Sequence, residues 1–100
     1  MQAIEGKELF GRLQKDEKLN LLDVREEIEY HTYNIGGINM PLSTFHENVD
    51  HLRYNKTDEI IVICRVGLRS GAVAKILTDN GYQQVRNLTG GLMALQKLKS

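Results

Sequence analysis

The chain has 100 residues, which suits a single domain over residues 1–100 with a core that needs neither metals nor disulfides. Thirteen basic residues balance thirteen acidic ones, which argues against nucleic-acid or membrane-surface partners recruited by bulk charge. One cysteine leaves no internal disulfide, the first residues are too charged for a signal peptide, and no apolar run reaches the ~18 residues of a membrane span, so a cytoplasmic location is expected.

In chain order, Met1 to Ile4 reads as a short edge strand. Leu9, Phe10 and Leu13 recur at helical spacing among charges, giving a surface helix from Glu5 to Lys15. Leu19 to Val24 is a compact apolar run and reads as a buried strand. Asp23 or a neighbour is expected to cap a short helix, Glu26 to His31, with Glu26 as the capping-box partner. Gly36-Gly37 marks a turn before a brief strand at Ile38-Asn39-Met40. Pro41 keeps Met40 extended and suits the start of a helix running to about Leu52, for which Thr44 and Glu47 offer a capping box.

The turn-forming cluster Asn55-Lys56-Thr57-Asp58 precedes the strongest strand signal, Glu59 to Cys64. Its Ile-Ile-Val-Ile run predicts burial on both faces, as in a parallel sheet. A helix through Ala72-Val73-Ala74-Lys75-Ile76-Leu77 follows and ends near Gly81, which fits the left-handed position past a C-terminus. Gln84 to Leu88 is a last short strand. A terminal helix after Gly90-Gly91 places Leu92, Leu95 and Leu98 along one side. This alternation predicts an α/β fold with a mostly parallel sheet, whose ligands would bind beyond the carboxyl ends of the strands. Cys64 sits at one such end.

The loop around Cys64 has the composition of a reactive-thiol site. A free thiol with a pKa of about 8.5 is only a few per cent ionised at neutral pH. Lowering that value to about 6.5 needs about 2.7 kcal/mol in favour of the anion. A helix N-terminus supplies up to roughly 2 kcal/mol, and Arg65, Arg69 and inward-turned amides are candidates for the rest. Gly67 permits a tight turn, and Ser70 can cap the helix or donate a hydrogen bond. The competing assignment is an inert core cysteine with solvated arginines beside it. His31, His46 and His51 lack metal-ligand spacing, so no metal and no cofactor are expected. Met40 and Met93 are expected in the core, and Tyr30 and Tyr33 half-buried.

Cys64-Arg65-Val66-Gly67-Leu68-Arg69-Ser70 resembles the active-site loop of the rhodanese, or thiosulfate sulfurtransferase, family. Leu21-Leu22-Asp23-Val24-Arg25-Glu26, Ile38-Asn39-Met40-Pro41-Leu42 and Asn87-Leu88-Thr89-Gly90-Gly91 resemble its other motifs, in family order. The resemblance implies a compact rhodanese-like domain: a five-stranded, mainly parallel sheet flanked by helices on both faces. It implies a sulfurtransferase in which Cys64 takes a sulfane sulfur from a small anionic donor such as thiosulfate. The resulting persulfide then passes that sulfur to cyanide or a thiol acceptor, thioredoxin-like or glutathione. The amides of Arg65, Val66, Gly67, Leu68, Arg69 and Ser70 would cradle the persulfide, and Arg65 and Arg69 would hold the donor. Asp23 and Arg25 would support the loop; the alternative is an N-cap aspartate and an Arg25–Glu29 pair at helical spacing.

Two departures touch the pocket walls. Asn34-Ile35-Gly36-Gly37 stands where members often carry His-Ile-Pro-Gly-Ala, and Leu92-Met93-Ala94-Leu95 lacks the aromatic residue common after the closing glycines. A cysteine-dependent phosphatase or arsenate reductase is disfavoured, because four residues rather than five separate Cys64 from Arg69 and the cradle is correspondingly small. A non-enzymatic persulfide carrier remains the main alternative. Either a monomer or a homodimer is compatible with the sequence.

Overall fold

A computed structural model describes residues 2–99. Its five strands are β1 (Gln2–Ile4), β2 (Leu21–Asp23), β3 (Ile38–Asn39), β4 (Glu59–Ile63) and β5 (Gln84–Leu88). They form one sheet in the order β1-β5-β4-β2-β3, and every pairing is parallel. β1 lies at an edge, as expected, with Met1 outside the described residues. The helices are α1 (Gly6–Gln14), α2 (Glu27–Thr32), α3 (Phe45–Asn48), α4 (Leu68–Asp79) and α5 (Gly91–Lys99).

β4 shows why the sheet is two-sided. Successive strand side chains point to opposite faces. Ile60 and Val62, with Cys64 just beyond the strand, join one apolar cluster with Phe45, Val73, Ala74 and Leu77. Ile61 and Ile63 join the other, with Leu9, Leu92 and Leu95. Thus α3 and α4 cover one face and α1 and α5 the other. All four residues from Ile60 to Ile63 are at most 1% exposed, so the continuous β-branched run reflects a strand buried on both sides. Each such side chain contributes roughly 1.5–3 kcal/mol of hydrophobic stabilisation.

The chain leaves β2 toward β3 on one side and returns to β4 on the other. The order of connection therefore reverses between β2 and β4, where a crevice forms beyond the strand ends. Asp23 ends β2 there and Val24 and Arg25 follow it, Cys64 and Arg65 follow β4, and the Val24 amide donates to the Ile63 carbonyl at 2.9 Å.

Several local expectations are corrected. α2 takes Glu26, not Asp23, as its N-cap, and its box is completed by Glu29, whose Oε1 accepts the Glu26 amide at 3.0 Å. Asp23 is unavailable for capping because Arg25 occupies both of its oxygens. The helix expected up to Leu52 is instead a 3₁₀ turn (Leu42–Thr44), the four-residue α3 and a second 3₁₀ turn (Val49–His51). Thr44 is the N-cap of α3 but makes no side-chain cap bond. α4 begins at Leu68, so part of the presumed loop is its first turn. Met40 packs against the core, whereas Met93 is 39% exposed.

Candidate functional site

The thiol is positioned by a strand that ends and a helix that begins within four residues. Cys64 is the first residue beyond β4, and Gly67 is the N-cap of α4. Gly67 adopts φ +101°, which reverses the chain in a conformation that any side chain would strain. The turn points the first amides of α4 at the sulfur. Cys64 Sγ accepts from the Gly67 amide at 3.0 Å and the Ser70 amide at 3.3 Å, and lies 3.2 Å from the Ser70 hydroxyl.

These contacts decide the ionisation. Burial of the thiol is the largest influence and acts against the anion. The Ser70 hydroxyl and the amides of Ser70, Gly67 and Val66 together outweigh it, so the Cys64 pKa is lowered. The expected contribution of arginine charge ranks below these bonds. Arg69 senses the Cys64 charge, but hydrogen bonding dominates on the sulfur's side.

The Ser70 hydroxyl has one proton and two acceptors. It donates to Asn87 Oδ1 in a short bond, and in the same geometry the neutral thiol can donate to Ser70 Oγ. Asn87 Nδ2 also donates to the Gly67 carbonyl at 3.2 Å, so β5 grips the loop at two points. Asn87 was legible only as part of a closing motif; its side-chain partners lie in the first turn of α4 and at its N-cap, and only the strand order brings them together.

α5 holds the loop from the other side. Its Leu92 and Met93 amides, unpaired within their own helix, donate to the Cys64 carbonyl at 2.9 Å and the Arg65 carbonyl at 3.0 Å. The approach requires Gly91: its φ is +62°, and a Cβ there would meet the Arg65 carbonyl oxygen at 2.3 Å.

The charged residues divide into paired and unpaired groups. Asp23 and Arg25 form a buried ion pair at 2.8 Å, and the Arg25 amide also donates to Asp23 Oδ1 at 3.1 Å. Arg25 Nη2 donates to the Tyr33 carbonyl at 2.7 Å, tying the end of β2 to the end of α2. The alternative Arg25–Glu29 pair does not form, because Glu29 engages Arg69 instead at 2.5 and 2.9 Å. That bond holds the Glu29 carboxyl far down, at about 2. Arg65 is exposed and has no counter-charge among the described residues.

A groove of about 470 Å³ opens beside the loop, lined by Arg25, Glu29 and Arg65 and by the apolar side chains of Ile28, Leu92 and Met93. Tyr33, also on its wall, is 38% exposed, and the Tyr30 hydroxyl donates to the Gly37 carbonyl at 2.7 Å. Val66 and Leu68 project outward, 47% and 81% exposed, so they contribute backbone to the loop and apolar surface to its rim. Cys64 itself is 0% exposed. Among the described residues no group of three or more His, Cys, Asp or Glu side chains is arranged for a metal, and no helix is long and apolar enough to cross a membrane.

A family model described as Rhodanese-like domain matches residues 7–98. The Bacillus subtilis protein YtwF, whose name marks it as a candidate sulfurtransferase, is 36% identical over 95 residues, covering 94% of this chain and 89% of its own. The thiosulfate sulfurtransferase PspE of Escherichia coli is 36% identical over 81 residues, covering 78% and 77%. YrkF of B. subtilis, whose name marks it as a candidate sulfur carrier, is 37% identical over 82 residues, but this chain spans only 43% of its length. A rhodanese-like domain protein from Staphylococcus aureus superposes with a TM-score of 0.82 at 28% identity, covering 95% of this chain and 91% of that one.

Proposed function

Because the chain belongs to the rhodanese-like domain family, we propose that it is a sulfurtransferase carrying a sulfane sulfur on Cys64. The observation that carries this reading is the set of polar groups converging on Sγ: two amide donors within 3.3 Å, with the Ser70 hydroxyl at 3.2 Å. An inert core cysteine has no use for such an anion-stabilising set.

In the first half-reaction the Cys64 thiolate attacks the outer sulfur of a donor such as thiosulfate. The thiolate's electron pair forms the new S–S bond, and the donor's S–S pair departs on sulfite. The product is Cys64–S–S⁻, whose negative charge the same amides would stabilise. In the second half-reaction cyanide or a cellular thiolate attacks the outer sulfur and the electron pair returns to Cys64 Sγ. One cysteine is sufficient, since the intermediate resides on a single side chain. Asp23 and Arg25 act as positioning residues: their buried pair fixes the crevice wall, and the Tyr33 contact steadies α2 beside the loop. The unpaired Arg65 would attract the anionic donor.

A phosphatase is poorly supported, because the one arginine at the far end of the loop, Arg69, is already neutralised by Glu29. A carrier that only hands sulfur to a protein partner shares the first half-reaction. The test is intact-protein mass after incubation with thiosulfate, mercaptopyruvate or a persulfide. A gain of about 32 Da, one sulfur, is expected in the native protein, removed by reductant and absent from Cys64→Ser. An unchanged mass with every donor sinks the proposal. Turnover with cyanide separates an enzyme from a carrier.

A further inference from the structure

Among the described residues, Glu29 is the one acidic side chain lining the groove beside the loop, which it shares with Arg65 and Arg25 while binding Arg69 at 2.5 and 2.9 Å. Arg25 is already matched by Asp23, so among the described residues the groove presents one cation without a counter-charge, Arg65, instead of two. We infer that Glu29 is a specificity-determining residue, which cancels the charge of Arg69 and tunes the site toward monoanionic sulfane-sulfur donors and away from dianionic ones. The inference rests on the sulfurtransferase reading and deepens it.

The physical basis is the donor's charge. Thiosulfate arrives with two negative charges and is attracted by Arg65 but repelled by the Glu29 carboxylate. An organic thiosulfonate, R–SO₂–S⁻, or a persulfide, R–S–S⁻, carries one. It feels half that repulsion, and its organic group can lie against Ile28, Leu92 and Met93. The bond chemistry is the same for either class: the thiolate pair forms the new S–S bond, and the old pair leaves on sulfite, sulfinate or thiolate. Glu29 touches no reacting atom; it acts through Arg69 and through the field at the groove. It is half-buried and close to the loop, where one unit charge placed roughly 7 Å from a dianion changes binding by about tenfold.

The experiment compares thiosulfate with methanethiosulfonate, which has the same reacting bond and one charge fewer, in steady-state assays with cyanide. Replacing Glu29 by Gln is expected to lower KM for thiosulfate about tenfold and for methanethiosulfonate about threefold, with kcat little changed. The gain should shrink as ionic strength rises. Glu29→Asp retains the charge and should retain the native preference. In the double variant Glu29→Gln, Arg69→Gln the loop regains its native net charge, and the ratio of the two KM values should return toward native. If Glu29→Gln proves too unstable to assay, the same cycle is read from Arg69→Gln alone: an uncompensated Glu29 should raise KM for thiosulfate more than for methanethiosulfonate. An unchanged KM ratio in these variants, or an equal fall in kcat for both donors, overturns the inference while leaving the function standing. If the native protein takes sulfur from neither donor nor from a persulfide, the functional reading fails and the inference with it.

Discussion

A single hydroxyl weighs heavily on the ionisation of Cys64. Burial alone would raise the thiol's pKa, and the balance is reversed by Ser70 and the neighbouring amides. Removing the Ser70 hydroxyl leaves the amides but deletes the leading favourable contact. Ser70→Ala is therefore expected to move the midpoint of iodoacetamide alkylation upward by about one pH unit, the equivalent of one hydrogen bond to a charged group. A midpoint that stays put would assign the ionisation to the amides alone. Asn87 should modulate the same value, since it competes with the sulfur for the hydroxyl's proton. Cys64, the glycines and the arginines can be read directly from the sequence. The partners of Ser70 and Arg69 cannot, because they lie 17 and 40 positions away and meet only in three dimensions.

The loop is held by three elements rather than by its own residues. α4 supplies amides to the sulfur, β5 supplies Asn87, and α5 supplies amides to the loop carbonyls. Gly91 permits the last of these, and Gly91→Ala forces both a strained φ and a backbone clash. A loss of about 3 kcal/mol in urea unfolding is expected, together with weaker sulfur loading in the molecules that still fold. Retention of both would show that α5 can retreat without disturbing the loop. α2 is joined to α4 by the Glu29–Arg69 pair, whose pH dependence has a definite sign. The folded Glu29 carboxyl titrates at about 2 against an ordinary 4.5, so the pair stabilises the fold above about 4.5 and loses that contribution as pH falls toward 2. Screening at this half-buried site leaves about 1 kcal/mol. The stability difference between the native protein and Glu29→Gln should thus be near 1 kcal/mol at pH 6 and vanish near pH 2, measured by thermal melting. The strands were legible because β-branched runs and turn residues mark them. The α3 region was not: Pro41, Thr44 and Glu47 carry helix-start signals, but tertiary packing of Phe45 leaves only one turn between two 3₁₀ turns. α4 was placed too late because Leu68 and Arg69 look like loop until Gly67 is seen to cap them.

At the scale of the molecule, the two ends of the sheet do different work. The carboxyl end holds the thiol, and the amino end holds a charge network in which Arg12 bridges Glu59 at 2.6 Å and Glu17 at 2.9 Å while Arg86 binds Glu8. Glu59 opens β4 and Cys64 follows its last residue, so the two regions are separated by the full strand, about 16 Å. Arg12→Ala is expected to cost about 1 kcal/mol of stability and leave the gain of sulfur mass unaltered. A loss of sulfur loading at equal folded fraction would mean that strain passes along β4. The parallel sheet, with both faces covered, was foreseeable from the continuous apolar run of β4 and the strand–helix alternation. The strand order, which decides that β2 and β4 share the crevice, follows from pairings that no single segment encodes.

The complete burial of Cys64 bears on oxidative damage. Peroxide attacks thiolates in proportion to their ionisation and accessibility, and here the lowered pKa favours the thiolate while burial shields it. The bare thiolate should therefore resist conversion to the irreversible sulfinic and sulfonic acids. On the sulfurtransferase reading, a stored sulfur places a second atom about 2.05 Å from Sγ, and an oxidant would meet that atom first. Reduction would then shed the oxidised sulfur as a small product and return the original thiolate. The cargo would double as a sacrificial shield for the residue that carries it.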